Sequence, residues 1–107
     1  MKTKIIFPML ILLSFLWAED KLNLPTNGID PALIHDMNSL SLDYLADTPQ
    51  EAIYNSKQAL QLATKIGSKE EQCNSLKIIG QAYLTIKNYT EAETYLQQAL
   101  QITKQID

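Results

Sequence analysis

Apolar residues between Leu76 and Leu100 recur every three or four positions. They run first as Leu76, Ile79, Gly80, Tyr83 and Leu84, and then as Ala92, Leu96, Ala99 and Leu100. Such spacing puts each set on one face of a helix. Asn88-Tyr89 interrupts the pattern between them. The stretch therefore predicts two antiparallel helices with a short connection. Large residues on the first helix meet small ones on the second. Gly80 and Ala99 have almost no side chain, so the two helices are expected to approach closely there, with Tyr83 filling the space above them.

The same pattern occurs once more upstream. Leu33, Ile34, Met37, Leu40, Tyr44 and Leu45 form one apolar stripe, and Ala52, Ser56, Ala59, Leu60 and Ala63 form the next. Asp30-Pro31 opens the first helix, with Asp as cap and Pro at the first helical position. Thr48-Pro49-Gln50-Glu51 reads as a capping box for the second. Gly67 ends that helix, with Lys65 opposing the dipole in its last turn. Ser68 to Glu71 reads as a second capping box, and Asn88 or Thr90, with Glu91 or Glu93, opens the fourth helix. A shift of forty residues lays Gln58–Leu62 on Gln98–Ile102 and Glu51-Ala52 on Glu91-Ala92. A shift of thirty-nine lays Met37, Leu40, Ser41, Tyr44 and Leu45 on Leu76, Ile79, Gly80, Tyr83 and Leu84. The chain thus holds two copies of one unit, about 31–67 and 68–107, and the fold class is all-α with two antiparallel hairpins.

Leu76, Ile79, Gly80, Tyr83, Ala92, Leu96 and Ala99 follow the large-x-x-large-Gly-x-x-Tyr, Ala, large, Ala pattern of the tetratricopeptide repeat (TPR), which this stretch resembles. Leu76 stands where the family often has Trp, and Lys104 where a Pro often ends the second helix. The resemblance covers about Leu33–Asp107. It implies a right-handed stack of hairpins whose first helices line a concave groove, and a non-catalytic role in binding proteins. On that register the groove residues are His35, Asn38, Leu42 and Leu45 from the first unit and Asn74, Lys77, Gln81 and Leu84 from the second. Their mixture of amides, one lysine and exposed leucines suits an extended peptide or a helix laid in the groove. The family's carboxylate clamp needs Lys followed one turn later by Asn. Lys77 is followed by Gln81, so an adaptor for chaperone tails is not expected. The run ALQLATKIG resembles exported bacterial members, in which the array often precedes a membrane helix and a sensor kinase or DNA-binding output domain. That implies the front of a signalling ectodomain.

Two further segments shape the picture. Met1–Ala18 reads as a secretory signal peptide: Lys2 and Lys4 precede an apolar run, Ile5–Trp17, and Ala18 precedes Glu19-Asp20. The run has thirteen residues, fewer than the ~20 that a spanning helix needs. Export to the periplasm or outside the cell is expected, with membrane tethering if the leader stays uncut. Residues 19–30 form a linker broken by Pro25, Asn27 and Gly28, and residues 31–107 form the repeat domain. The fourth helix keeps part of its apolar stripe, including Ile106, where a further hairpin would stack. A repeat array needs about three units and a polar cap. A truncated chain, the front of a longer protein, or self-association through the fourth helix would each answer this.

Composition narrows the chemistry. The 9 basic residues are all lysine, against 12 acids; from Glu19 onward seven lysines face the same twelve acids, a net charge of −5. That argues against nucleic acid, which calls for a basic face. A single cysteine excludes an internal disulfide and a thiolate zinc site. No Gly-rich phosphate loop, Gly-x-Ser-x-Gly or His-Glu-x-x-His is present. His35 is the only histidine and has no convergent partner by spacing, so it reads as a groove contact. Cys73 reads as a small packing residue in a first helical turn, and Asn88-Tyr89-Thr90 as a turn that also matches the glycosylation pattern. Glu70, Glu71, Glu91 and Glu93 are explained by their places at helix starts. No catalytic residue, metal, cofactor or small-molecule substrate is expected. An enzyme would require His35 or Cys73 to be essential.

Overall fold

The computed structural model describes residues 28–106. The expected signal peptide and most of the linker lie outside the described residues. Within them the chain forms four helices, α1 (Pro31–Tyr44), α2 (Pro49–Ile66), α3 (Lys69–Thr85) and α4 (Tyr89–Ile106), and no strand. None of the described helices is long and apolar enough to cross a membrane.

Local chemistry sets the ends of these helices. Asp30 accepts the Ala32 N–H at 2.9 Å, and Pro31 takes the first helical position. The expected capping box at Thr48 does not form. The Thr48 hydroxyl instead donates back to the Tyr44 carbonyl at 3.4 Å, and it is the Thr48 carbonyl that receives Glu51 N–H and Ala52 N–H. Gly67 is left-handed (φ 71°) and Ser68 N–H reaches the Ala63 carbonyl at 2.9 Å, the six-to-one bond of a Schellman ending. The α3–α4 turn repeats this bond from Asn88 N–H to the Tyr83 carbonyl at 2.8 Å, with Lys87 in the left-handed conformation (φ 65°). Asn88 Oδ1 then accepts the Glu91 N–H at 3.4 Å, so Asn88 rather than Thr90 caps α4.

The core is arranged around α3, which packs against the other three helices. Because three neighbours cover it, more of its circumference is buried than an amphipathic stripe supplies. Leu76, Ile78, Ile79, Gly80 and Ala82 are buried, and so are Glu71, Gln72 and Ser75. α2 contributes only small buried residues, Ala52, Ser56, Ala59 and Ala63, which lets the hairpins come close. Ile29, just before α1, is buried with Ile34, Ala59 and Ala63, and Met37 packs against that cluster.

The close approach expected at Gly80 is present: in the antiparallel pair Gly80 meets Leu96 and Ala92, while Ala99 meets Cys73 and Leu76. One expectation about packing needs correcting. Leu40, matched by register to the fully buried Ile79, is 45% exposed. Ile79 lies between helices, whereas no described helix precedes α1 on the side that Leu40 faces. Leu33 is left open as well.

Tyr83 fills the upper end of the second hairpin by stacking on Tyr95, with ring centres 5.6 Å apart. Tyr44, its counterpart in the first unit, packs with Leu45 and Ile53 against Ala52, Ile78 and Ala82. Lys57 of α2 donates to the Tyr83 hydroxyl at 3.3 Å and lies 5.7 Å from both ring centres. The hydrogen bond to Tyr83 raises the Lys57 pKa above the ordinary lysine value against a smaller opposing effect of burial. This contact ties the convex side of the first hairpin to the second.

Candidate functional site

The first helices of the two hairpins, α1 and α3, lie side by side and enclose a shallow concavity. It is lined by His35, Asn38, Ser39 and Leu42 from α1 and by Asn74, Lys77, Ile78 and Gln81 from α3. Six of the eight expected groove residues are thereby brought together. The other two are elsewhere. Leu45 packs against Ala52, Ile78 and Ala82. Leu84 lies in a separate hollow with Tyr89, Ala92 and Leu96 on the α4 side. Both come three residues after a groove position, which turns them about 60° around the helix, towards the second helix of their own hairpin.

A polar network forms the wall of the concavity and joins α1 to α3. Its centre is Glu71, 9% exposed. Asn38 Nδ2 donates to Glu71 Oε1 at 3.1 Å and to the Glu71 carbonyl at 3.4 Å. Asn74 Nδ2 donates to the same Oε1 at 3.3 Å, and His35 Nδ1 lies 3.2 Å from Oε2. Ser75 Oγ donates to Asn38 Oδ1 at 2.9 Å. Burial alone would raise the Glu71 pKa. The hydrogen bonds from Asn38, Asn74 and His35 outweigh that and hold the carboxyl below the usual carboxylate range.

This network corrects two readings of the sequence. Asn38 is not an open contact residue: it is 3% exposed and both ends of its amide are engaged inside the protein. Glu71 is not simply a capping acid. Its N–H does bond to Ser68 Oγ at 3.3 Å, but its side chain turns across to α1. The signal that points to it is polar residues at helical spacing on both partners, His35 and Asn38 on α1 and Glu71, Asn74 and Ser75 on α3. That signal becomes visible only when the two helices are known to be neighbours.

The groups left to meet a ligand are those whose polar atoms face out of the groove. The His35 side chain is 65% exposed. Lys77 and Gln81 are exposed, and Lys77 forms no ion pair among the described residues. Leu42 (51% exposed) and the buried Ile78 give the floor an apolar strip. Cys73 belongs to a different place: it is buried between α3 and α4, with Sγ 3.2 Å from Thr103 Oγ1 and 3.7 Å from the Ala99 carbonyl. Among the described residues no three His, Cys, Asp or Glu side chains gather as ligands for a metal. The arrangement is a shallow trough of mixed polarity between α1 and α3.

Neither a curated protein nor a solved structure matches the chain. A family model, that of the tetratricopeptide repeat, matches residues 37–105. The match starts at Met37, the first register position of unit one, and takes in both hairpins. Four helices in two stacked hairpins, a glycine where α3 meets α4, a concavity between the first helices and this match over most of the length agree, and the chain belongs to the tetratricopeptide repeat family.

Proposed function

We propose that this chain is a non-catalytic protein-binding module whose α1–α3 concavity receives an extended segment or a helix of a partner protein. Repeats of this family generally mediate protein–protein interaction, and stacked repeats use their concave surfaces for it. The observation that carries the reading is the Glu71 network. It fixes α1 against α3 before any ligand arrives, so a partner is not charged the entropy of ordering the groove. Leu42 and Ile78 offer an apolar strip, and Lys77, Asn74 and Gln81 offer hydrogen bonds and one positive charge to a main chain laid across them.

Peptides selected from a displayed random library on the full chain test this. Leu42→Asp and Lys77→Glu each weaken the selected peptides at least tenfold by calorimetry, about 1.4 kcal/mol, while Leu84→Asp on the α4 side leaves them unchanged. Binding that ignores both groove substitutions would overturn the reading.

The proposal extends to where the module works. Lys2 and Lys4, the apolar run Ile5–Trp17 and Ala18 support export through a cleaved leader. The intact mass of the protein from its own cells is expected to begin at Glu19. A mass that retains Met1–Ala18 would replace the exported module with a membrane-tethered one.

A further inference from the structure

The outward side of α4 carries Tyr89, Glu93, Leu96, Leu100 and Lys104 at intervals of three or four residues, with Gln97 beside Leu96, and hence on one side of the helix. Tyr89 is 63% exposed and Leu100 56%. With Leu84, Ala92 and Leu96 they line an apolar hollow. The first hairpin has the same hollow, filled. By the repeat register Ala92 corresponds to Ala52, Leu100 to Leu60 and Leu84 to Leu45. Leu45 and Ala52 pack on Ile78 and Ala82 of α3, and Leu60 packs with Cys73 and Leu76. The α4 hollow is therefore a helix seat of the kind that holds the two hairpins together.

We propose that a second copy of this chain occupies the seat by antiparallel pairing of the two α4 helices about a two-fold axis. The stripe is acidic near its start, apolar in the middle and basic near its end. Two such stripes running in opposite directions place Glu93 of each copy against Lys104 of the other, with Leu96 and Leu100 meeting between them. The two charges are eleven residues apart, about 16 Å along the helix, so both pairs form at once. Each charge is available. The Glu93 carboxylate accepts only Gln97 Nε2 of its own helix, at 3.2 Å, and Lys104 has no ion pair among the described residues. Such an interface uses the same patch on both copies and closes at two.

Head-to-tail stacking, with α1 of the next copy in the seat, is disfavoured by the same register. α1 carries Ser39 and Asp43 where α3 carries Ile78 and Ala82. Asp43 would be pressed against Leu84 and Ala92 beside Glu93, an unpaired carboxylate losing its water next to a like charge.

Sedimentation equilibrium of the full chain tests the pairing, with circular dichroism to verify that each variant keeps its helices. The chain is expected to sediment as a monomer–dimer equilibrium. Leu100→Asp, at an exposed position that leaves the fold intact, abolishes the dimer. Glu93→Lys and Lys104→Glu each raise the dimer Kd about tenfold, because each turns two attractive pairs into repulsive ones. The double reversal, Glu93→Lys with Lys104→Glu, restores the Kd to within about threefold, since the pairs are remade with their signs exchanged. A monomer at every concentration, a dimer indifferent to Leu100→Asp, or single reversals that the double reversal does not rescue would each overturn the proposal.

Discussion

Replacing Gly80 by leucine is expected to lower the unfolding free energy by about 3 kcal/mol or more, the upper range for overfilling a packed core. A Cβ added at Gly80 would stand 2.6 Å from both Cγ and Cδ2 of Leu96 and 3.4 Å from the Ala92 carbonyl. α3 and α4 touch there almost backbone to side chain, so three further carbons have no room unless α4 moves away. Moving α4 opens the contacts of Ala92 and Ala99, both nearly fully buried, and unstacks Tyr83 from Tyr95. For a domain of this size the loss corresponds to a fall in Tm of at least about 12 °C, read by circular dichroism at 222 nm. Alanine at the same place is the informative control. It removes the helix penalty of glycine, about 0.5–1 kcal/mol, while its Cβ pushes on the half-buried Leu96, and the two effects oppose. Adding Leu96→Ala to Gly80→Leu is expected to recover part of the loss. A midpoint unchanged by Gly80→Leu would mean that the two helices do not approach this closely.

Glu71→Ala is expected to cost about 2–3 kcal/mol at pH 7, through polar groups left unpartnered at a buried site. It strips Asn38 of the acceptor that holds its amide between α1 and α3. It also frees Asn74 and His35 on the groove wall, so peptide binding in the concavity falls along with stability. The pH dependence follows from the direction of the shift. The carboxyl is held below its ordinary value in the folded chain, so the unfolded state binds its proton first. Its contribution is then fully present above the unfolded value of about 4.3 and is lost as the pH drops through the lower folded value. Glu71→Gln imitates the protonated form. Urea unfolding should therefore show wild type ahead of Glu71→Gln at pH 7, with the gap closing as the pH falls below the unfolded value of about 4.3 and through the lower folded one. A gap that stays constant over this range would show that the network does not depend on the charge.

Much of this architecture is legible in the sequence. Helix periodicity placed Ile34, Ala52, Ala59, Ala63, Leu76, Ile79 and Ala99 on inner faces, and all are buried apart from a trace of surface on Leu76 and Ala99. These residues report a face because a helix repeats every 3.6 positions whatever lies beside it. The turns were readable where one residue type answers one backbone need, as at Gly67 with its left-handed φ. At Thr48 the sequence states only a competence to form a capping box, and the backbone leading into Pro49 (φ −134°, ψ 69°) sends the hydroxyl back to Tyr44.

What the sequence by itself determined is the hairpin unit and its duplication, because these depend on contacts near in sequence or copied at a constant offset. The tertiary structure decided which of those faces meets a neighbour. It left Leu40 open and enclosed its counterpart Ile79, since one helix stands at the edge of the described stack and the other within it. It turned Glu71 from a helix start into the link between hairpins, and sent Leu84 out of the groove to the α4 hollow. Periodicity fixes a direction around a helix axis. Burial and hydrogen bonding also require something on the other side, and here that something comes from residues more than thirty positions away in the chain.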